Sequence, residues 1–332
     1  MIETRYCGLE LKSPVIVGAS RLTSDIDSIK KAEKAGAGAV VISSLFEEQI
    51  QLQHYRHDED MVQYDDWHAE MTDIFPDLEY SGVDEHLVWV KKAKEALNIP
   101  VIASLNAVTQ STWVPWAKKL EEAGADALEL NFYSLPTDPE LTASQIEDEQ
   151  VKIVQAVVKA VSVPVSVKLS PYYTNPLNII KRMDAAGVEG VVLFNRFFQP
   201  DIDPANLRND YRYNLSTGNE YQLPLRFAGL LSGEIGASIC ASGGIEKADT
   251  VKKQILAGAD AAQIVSGIYR HSVDLIGEIN DELKRWMRSK GYESIKDFRG
   301  SLDARHNKDP KIYKRSQYVR LLLNPWEYIV RP

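Results

Sequence analysis

One phrase recurs four times along this chain of 332 residues. It appears as Ala35-Gly36-Ala37, Ala123-Gly124-Ala125-Asp126-Ala127, Ala186-Gly187-Val188-Glu189-Gly190 and Ala257-Gly258-Ala259-Asp260-Ala261. Each copy closes an amphipathic stretch of helical period and opens a short apolar run. The runs are Val40-Val41-Ile42, Leu128-Glu129-Leu130, Val191-Val192-Leu193 and Ala262-Gln263-Ile264-Val265. Glycine stops a helix there because it takes the left-handed C-cap conformation without strain. The apolar run that follows is the pattern of a buried strand.

Other buried strands lie between the copies: Pro14–Val17, Ile99–Ala103, Val163–Val167 and Ala237–Ala241. Eight strands alternating with helices predict an α/β chain closed into a (β/α)₈ (TIM) barrel. Function in such a barrel sits where the strands end. Three stretches stand outside the repeat: residues 45–82 after strand 2, residues 196–222 after strand 6, and the tail from residue 304. Both insertions leave from strand C-terminal ends, where long loops act as lids or substrate walls. This divides the chain into a barrel, residues 1–303, and an extension, 304–332. The extension carries a net charge of +5, leaving −14 on the rest of the chain. With its aromatic residues it reads foremost as a segment packed on its own acidic barrel, and alternatively as a dimer arm.

Composition removes several classes of function. A net charge of −9 disfavours nucleic acid, since phosphate binding needs a positive field. No apolar run is long enough to span a bilayer, and Met1–Leu11 lacks an apolar signal core. Two distant cysteines, Cys7 and Cys240, argue against a disulfide framework or a cysteine metal site. His54, His57, His68 and His86 follow no ligand spacing and read as surface or lid residues, so no metal is expected. A cytoplasmic enzyme is the resulting expectation.

The strand ends supply the candidate chemistry. Ser242-Gly243-Gly244 follows strand 7 and Ser266-Gly267 follows strand 8, where barrels commonly hold a phosphate on exposed backbone amides. Strand 1 ends in Gly18-Ala19-Ser20, small residues that let a flat ligand lie on the backbone. Strand 5 ends in Lys168, a charge that is costly to bury without an anion. It is suited either to stabilising a developing anion or to forming a Schiff base. Asn131 and Asn195, each after a strand, offer donor and acceptor together and suit a planar ligand edged with amides.

Four segments together resemble the dihydroorotate dehydrogenase family: Val165–Pro171, Glu129-Leu130-Asn131, the Ser-Gly-Gly-Ile turn and Gly291–Gly300. The resemblance runs in consistent order over about residues 1–302, and the opening Tyr6–Pro14 fits it too. It implies FMN at the barrel mouth, with the phosphate on Ser242, Gly243, Gly244, Ser266 and Gly267. It implies Ala19, Ser20 and Ser43 beside the ring, and Asn106, Asn131 and Lys168 hydrogen-bonded to it. It implies that Ser134, in the loop after strand 4, removes a proton from the substrate as a hydride passes to flavin N5. Ser134 and Lys168 are thus the implied catalytic residues.

The chain also departs from the family's pattern. Ile42 stands where the cytosolic members carry a lysine before the paired serines of strand 2. Leu135-Pro136 replaces a Pro-Asn that holds substrate, and Asp73–Tyr80 lacks a matching asparagine. Asn195 persists, but Arg196 replaces a small hydroxyl residue. The cofactor half is kept and the substrate half rewritten, with Asn131, Asn195 and Arg196 as candidate substrate contacts. The expectation is an FMN-dependent oxidoreductase, cytoplasmic and homodimeric, acting on dihydroorotate in pyrimidine biosynthesis or on a related small anionic substrate. A flavin-binding paralogue without that activity is the alternative.

Overall fold

The computed structural model describes residues 1–46, 83–107, 110–133, 135–197, 199–210, 215–315 and 323. A short antiparallel hairpin, β1 (Thr4–Tyr6) and β2 (Leu9–Leu11), opens the chain. The barrel strands follow: β3 (Val15–Val17), β4 (Ala39–Phe46), β5 (Val101–Asn106), β6 (Ala127–Asn131), β7 (Val165–Leu169) and β8 (Gly190–Leu193). A second hairpin, β9 (Asp201–Asp203) with β10 (Arg208–Asp210), lies in the insertion after β8. Strands β11 (Ser238–Ser242) and β12 (Ala261–Ile264) complete a closed, parallel, eight-stranded barrel. The expected (β/α)₈ barrel is therefore the fold.

Helices separate the strands: α1 (Ile26–Lys34), α2 (Val83–Ala96), α3 (Gln110–Glu122), α4 (Ala143–Ala160), α5 (Pro176–Ala185), α6 (Gln222–Leu231), α7 (Ala248–Ala257), α8 (Ser266–Arg270) and α9 (Leu275–Lys290). The repeated glycines carry φ of +93° at Gly36, +97° at Gly124, +98° at Gly187 and +119° at Gly258, the left-handed stop their sequence implied. The acid two residues on has its own task. Asp126 accepts the Val101 amide at 2.8 Å, and Asp260 accepts the Ile239 amide at 2.9 Å. Each carboxylate thus fastens the start of a neighbouring strand.

Alternation along the strands sorts side chains inward or toward the helices. Val15, Val17, Val40 and Ile42 belong to the large core between strands and helices. Ile16, Val41, Ile102, Val192 and Cys240 fill the barrel interior, closed at the strand N-terminal end by Tyr6, Cys7 and Leu11. Above them the interior turns polar, with Ser104, Glu129, Ser166, Lys168 and Gln263 all buried. Burial raises the Cys240 thiol well above its ordinary value, with the Glu129 charge adding to it, so the cysteine is a packing residue.

A final short helix, α10 (Lys311–Lys314), brings the start of the tail against α6. The Ala304 amide donates to Gly229 O at 2.9 Å, and the buried Tyr313 ring sits on Gly229, its hydroxyl donating to Leu302 O at 2.6 Å. Residues 304–315 lie on the barrel, and the rest of the tail apart from residue 323 falls outside the described residues. Among the described residues no helix is long and apolar enough to cross a membrane, and no cluster of metal-ligating residues occurs. His86 departs from its surface reading. It is half-buried on α2, and burial pushes its imidazole down to a pKa of about 4.

Candidate active site

The polar interior converges on Lys168. Its strand neighbours Val167 and Leu169 face the helix layer, so Lys168 points inward, just below the mouth, and only 7% of it is exposed. Lys168 Nζ donates to Gln263 Oε1 at 3.1 Å and lies 3.9 Å from Glu129 Oε1. Gln263 Nε2 donates to the other oxygen, Glu129 Oε2, at 2.5 Å. Glu129 is fully buried and its Oε1 has no hydrogen bond, so the lysine supplies its charge compensation through space. Two neighbouring strands, β6 and β7, and β12 across the barrel thus hold one ammonium group. Neither Glu129 nor Gln263 is among the sequence candidates. Their signal is a lone polar residue at an inward position between apolar neighbours, Leu128 and Leu130 in one case, Ala262 and Ile264 in the other.

A neutral wall stands beside the lysine. The Asn106 amide donates to Asn131 O at 2.9 Å, and the Asn131 amide reaches Ser44 Oγ at 3.4 Å. The Asn195 amide donates to Asn131 Oδ1, and the Ser44 and Ser104 hydroxyls share a 2.7 Å bond. Ile42 corrects one expectation drawn from the resemblance. It is fully buried in the helix-side core, so the side chain at this position turns away from the mouth.

Above Lys168 lies a cavity of about 220 Å³. Its walls include Ala19, Lys168, Asn195, Arg196, Ser242, Gly243, Gly244 and Ser266, eight of the sequence candidates brought together. Gly267 is buried behind Ser266, and Ser20, Ser43, Asn106 and Asn131 stand nearby outside that lining. Ser134 lies outside the described residues.

The glycine turns are built for a ligand. Gly243 has φ +104°, and nothing lies within 4 Å of where a Cβ would stand, so its free face opens on the cavity. Gly244 has φ +66°, and a Cβ there would meet the Tyr221 amide nitrogen at 2.5 Å. A Cβ on Gly267 would meet Ile245 O at 2.5 Å. Ser216, from the insertion after β8, ties the two turns together. Its hydroxyl donates to Ser266 Oγ at 2.9 Å and accepts the Gly244 amide at 3.2 Å. An open glycine cradle at one end and a lysine with amides at the other fit a phosphate-bearing planar cofactor, the chemistry of a flavin nucleotide.

Arg196 lines the same cavity, but its charge is already matched. Its Nε donates to Glu220 Oε2 at 2.9 Å. Burial alone would raise the Glu220 carboxyl, yet the Thr217 amide and Arg196 outweigh it and hold the group below the usual carboxylate range. The Tyr133 hydroxyl donates to Arg196 O at 3.1 Å, joining the loop after β6 to the loop after β8.

Fold and site define a (β/α)₈-barrel enzyme with glycine turns after its last two strands opening on a cavity and a buried lysine beneath the mouth. The chain belongs to the dihydroorotate dehydrogenase family, whose model matches residues 75–287. It is 28% identical over 300 residues to a protein of Methanocaldococcus jannaschii named dihydroorotate dehydrogenase B (NAD(+)), catalytic subunit, covering 87% of this chain and 94% of that one. A protein of the same name from Thermoplasma volcanium is 28% identical over 313 residues, 90% of this chain and 97% of the other. A putative dihydroorotate dehydrogenase A (fumarate) of Aeropyrum pernix is 28% identical over 231 residues, 66% of this chain and 72% of its own. Membership makes the chain an oxidoreductase acting on CH–CH donors, in a flavin-dependent family.

Proposed function

We propose that the chain is an FMN-dependent oxidoreductase that converts dihydroorotate, or a closely related small anionic substrate, to its unsaturated product. The proposal places it in pyrimidine biosynthesis, in the cytoplasm, as a homodimer. The observation that carries it is the buried Lys168 ammonium, fixed by Gln263 and Glu129 beneath a cavity whose other end is an open glycine cradle.

When bound, FMN supplies a ring that takes up a hydride equivalent at N5. The chain's own residues do the rest. Ser242, Gly243, Gly244, Ser266 and Gly267 hold the phosphate, and Ala19, Ser20 and Ser43 flank the ring. Lys168 sets a positive charge against the ring's polar edge, where electron density accumulates on reduction. Its fixed position means that little reorganisation is needed as that charge develops. Asn131 and Asn195, already bonded to each other, orient the substrate's amide edge. Ser134 takes the proton that leaves carbon, which completes a two-electron oxidation of the substrate.

The test is an anaerobic visible spectrum of the purified protein before and after dihydroorotate. Bleaching of bound flavin supports the reading, and a protein that stays yellow refutes dihydroorotate as substrate. Ser134→Ala is expected to keep its flavin and to slow reduction by roughly 10²–10⁴-fold, the usual contribution of a positioned proton-transfer group. Unchanged kinetics would remove Ser134 from the mechanism.

A further inference from the structure

A second chamber of about 510 Å³ opens beside the first. The two share Phe194, Asn195, Arg196, Phe197, Gln199, Ser242 and Gly243 as walls. Its volume alone lies in the range of whole small-molecule sites, roughly 300–1,000 Å³, far more than a single six-membered ring fills. We propose that this chamber holds the anionic far end of a substrate longer than dihydroorotate, a planar spacer carrying a second carboxylate or phosphate. The inference rests on the proposed reading that the first chamber seats the flavin with the substrate on its face, and it takes the second branch of that reading, a relative of dihydroorotate rather than dihydroorotate itself.

Charge is the first argument. Of the charged groups lining the chamber, Arg196 and Glu220 cancel each other at 2.9 Å. Arg226 remains. Its Nη1 donates to two carbonyls, Tyr313 O and Arg315 O, both at 2.9 Å. Those bonds fix the guanidinium but leave its charge uncompensated, and among the described residues it has no carboxylate partner. Among the described residues Nε and Nη2 have no partner either. A half-buried guanidinium with two free donors is a ready bidentate partner for a carboxylate or phosphate.

Shape is the second argument. Phe197 stands between Tyr133 and Tyr172, with ring centroids 5.3 Å apart on each side. Tyr133 lines the first chamber, Tyr172 the second, and Phe197 both. Tyr172 is 68% exposed, so its ring is open to another flat surface. The aromatic run therefore leads from the mouth of the first chamber into the one that Arg226 lines.

The experiment uses flavin-loaded protein and four probes: orotate, biphenyl-4-carboxylate, biphenyl-4,4′-dicarboxylate and 4′-phosphonobiphenyl-4-carboxylate. Binding is read both from the flavin spectrum and from tryptophan fluorescence. Each dianion is expected to bind at least about tenfold tighter than the monoanion of the same size, the equivalent of one partly buried charged hydrogen bond. The better of the two identifies carboxylate or phosphate as the natural end group. Arg226→Met should abolish the discrimination and Arg226→Lys should keep part of it. Leu223→Trp, a change on the chamber wall away from the tail contacts, should exclude all three biphenyls and leave orotate unaffected. Equal binding of monoanion and dianions, or discrimination that survives Arg226→Met, overturns the proposal. If orotate leaves the flavin spectrum unmoved while the dianions still bind through Arg226, the reading of the first chamber falls and the anion chamber stands.

Discussion

Glu129→Gln is the sharpest probe of the interior that holds Lys168. The substitution keeps size and removes one charge. The ammonium lies 3.9 Å from Glu129 Oε1, so at an effective dielectric of about 20 the lost attraction is about 4 kcal/mol. Lys168 is 7% exposed, so water offers little relief. Gln263 cannot repair the loss. It accepts from Lys168 and donates to Glu129, and a glutamine at 129 turned to accept that bond restores no charge. Breaking one side of a buried pair typically costs about 3–5 kcal/mol, in agreement with the Coulomb figure. For 332 residues, an unfolding entropy of about 2 cal/mol/K per residue makes 1 kcal/mol worth about 1.5 °C. The expected fall in Tm is about 4–7 °C.

The assay is thermal unfolding of wild type, Glu129→Gln, Lys168→Met and the double variant. Removing both charges leaves no unpaired ion, so the double variant is expected to be more stable than Glu129→Gln alone. A Glu129→Gln protein as stable as wild type, or strictly additive single changes, would refute the pairing. Loss of bound flavin in Lys168→Met, with the barrel still folded, would tie the same lysine to the cofactor.

Three further outcomes are open to measurement. Gly243→Ala places its methyl in the open cradle and should cost only about 1–2 kcal/mol of left-handed strain while flavin affinity falls sharply, whereas Gly244→Ala drives its methyl into the Tyr221 amide and should destabilise the fold as well; flavin content and Tm measured on both variants separate the two. His86 binds its proton more weakly in the folded protein, at about 4 against 6.5 when unfolded, so its contribution falls as pH drops from 6.5 toward 4, by up to about 3 kcal/mol; a His86→Gln variant should flatten that part of the stability–pH curve, and an unchanged curve would refute the assignment. Tyr313→Ala removes a buried ring and its bond to Leu302, which should cost about 3–5 kcal/mol in a single unfolding transition, while a silent change would detach residues 304–315 from the barrel body.

The barrel was legible because its signals are local. A glycine after a helix and an apolar run after the glycine are set within one βα unit, and the closed sheet follows from repetition. The glycine turns after β11 and β12 were legible for the same reason. Glu129 and Gln263 were not, because they meet across the barrel from 134 residues apart, and nothing beside either one names its partner. Ile42 was misread for the opposite reason. Its neighbours in sequence invite a comparison of side-chain identity, while strand parity, visible only in the closed barrel, turns position 42 toward the helices. Arg196 lines the cavity, and its neutralising partner, which nothing beside it in sequence names, comes from the insertion before α6, 24 residues on.

That neutralisation bears on how the site selects substrates. An anion placed at Arg196 must displace Glu220, which the Thr217 amide also holds at 2.8 Å, and the exchange of one carboxylate for another returns little free energy. Arg196 therefore contributes shape more than attraction. Lys168 shares its charge with Glu129 and faces the proposed flavin site, so among the described residues lining the two chambers Arg226 is the cationic group left to draw an anionic substrate. A short anion gains on the flavin side alone, and one long enough to reach Arg226 gains at its far end as well. Selection between short and long anions then depends on Arg226, so Arg196→Ala is expected to change the affinity for orotate less than Arg226→Met changes the affinity for a two-ring dianion. The reverse order, measured by flavin perturbation, would return the anion contact to Arg196.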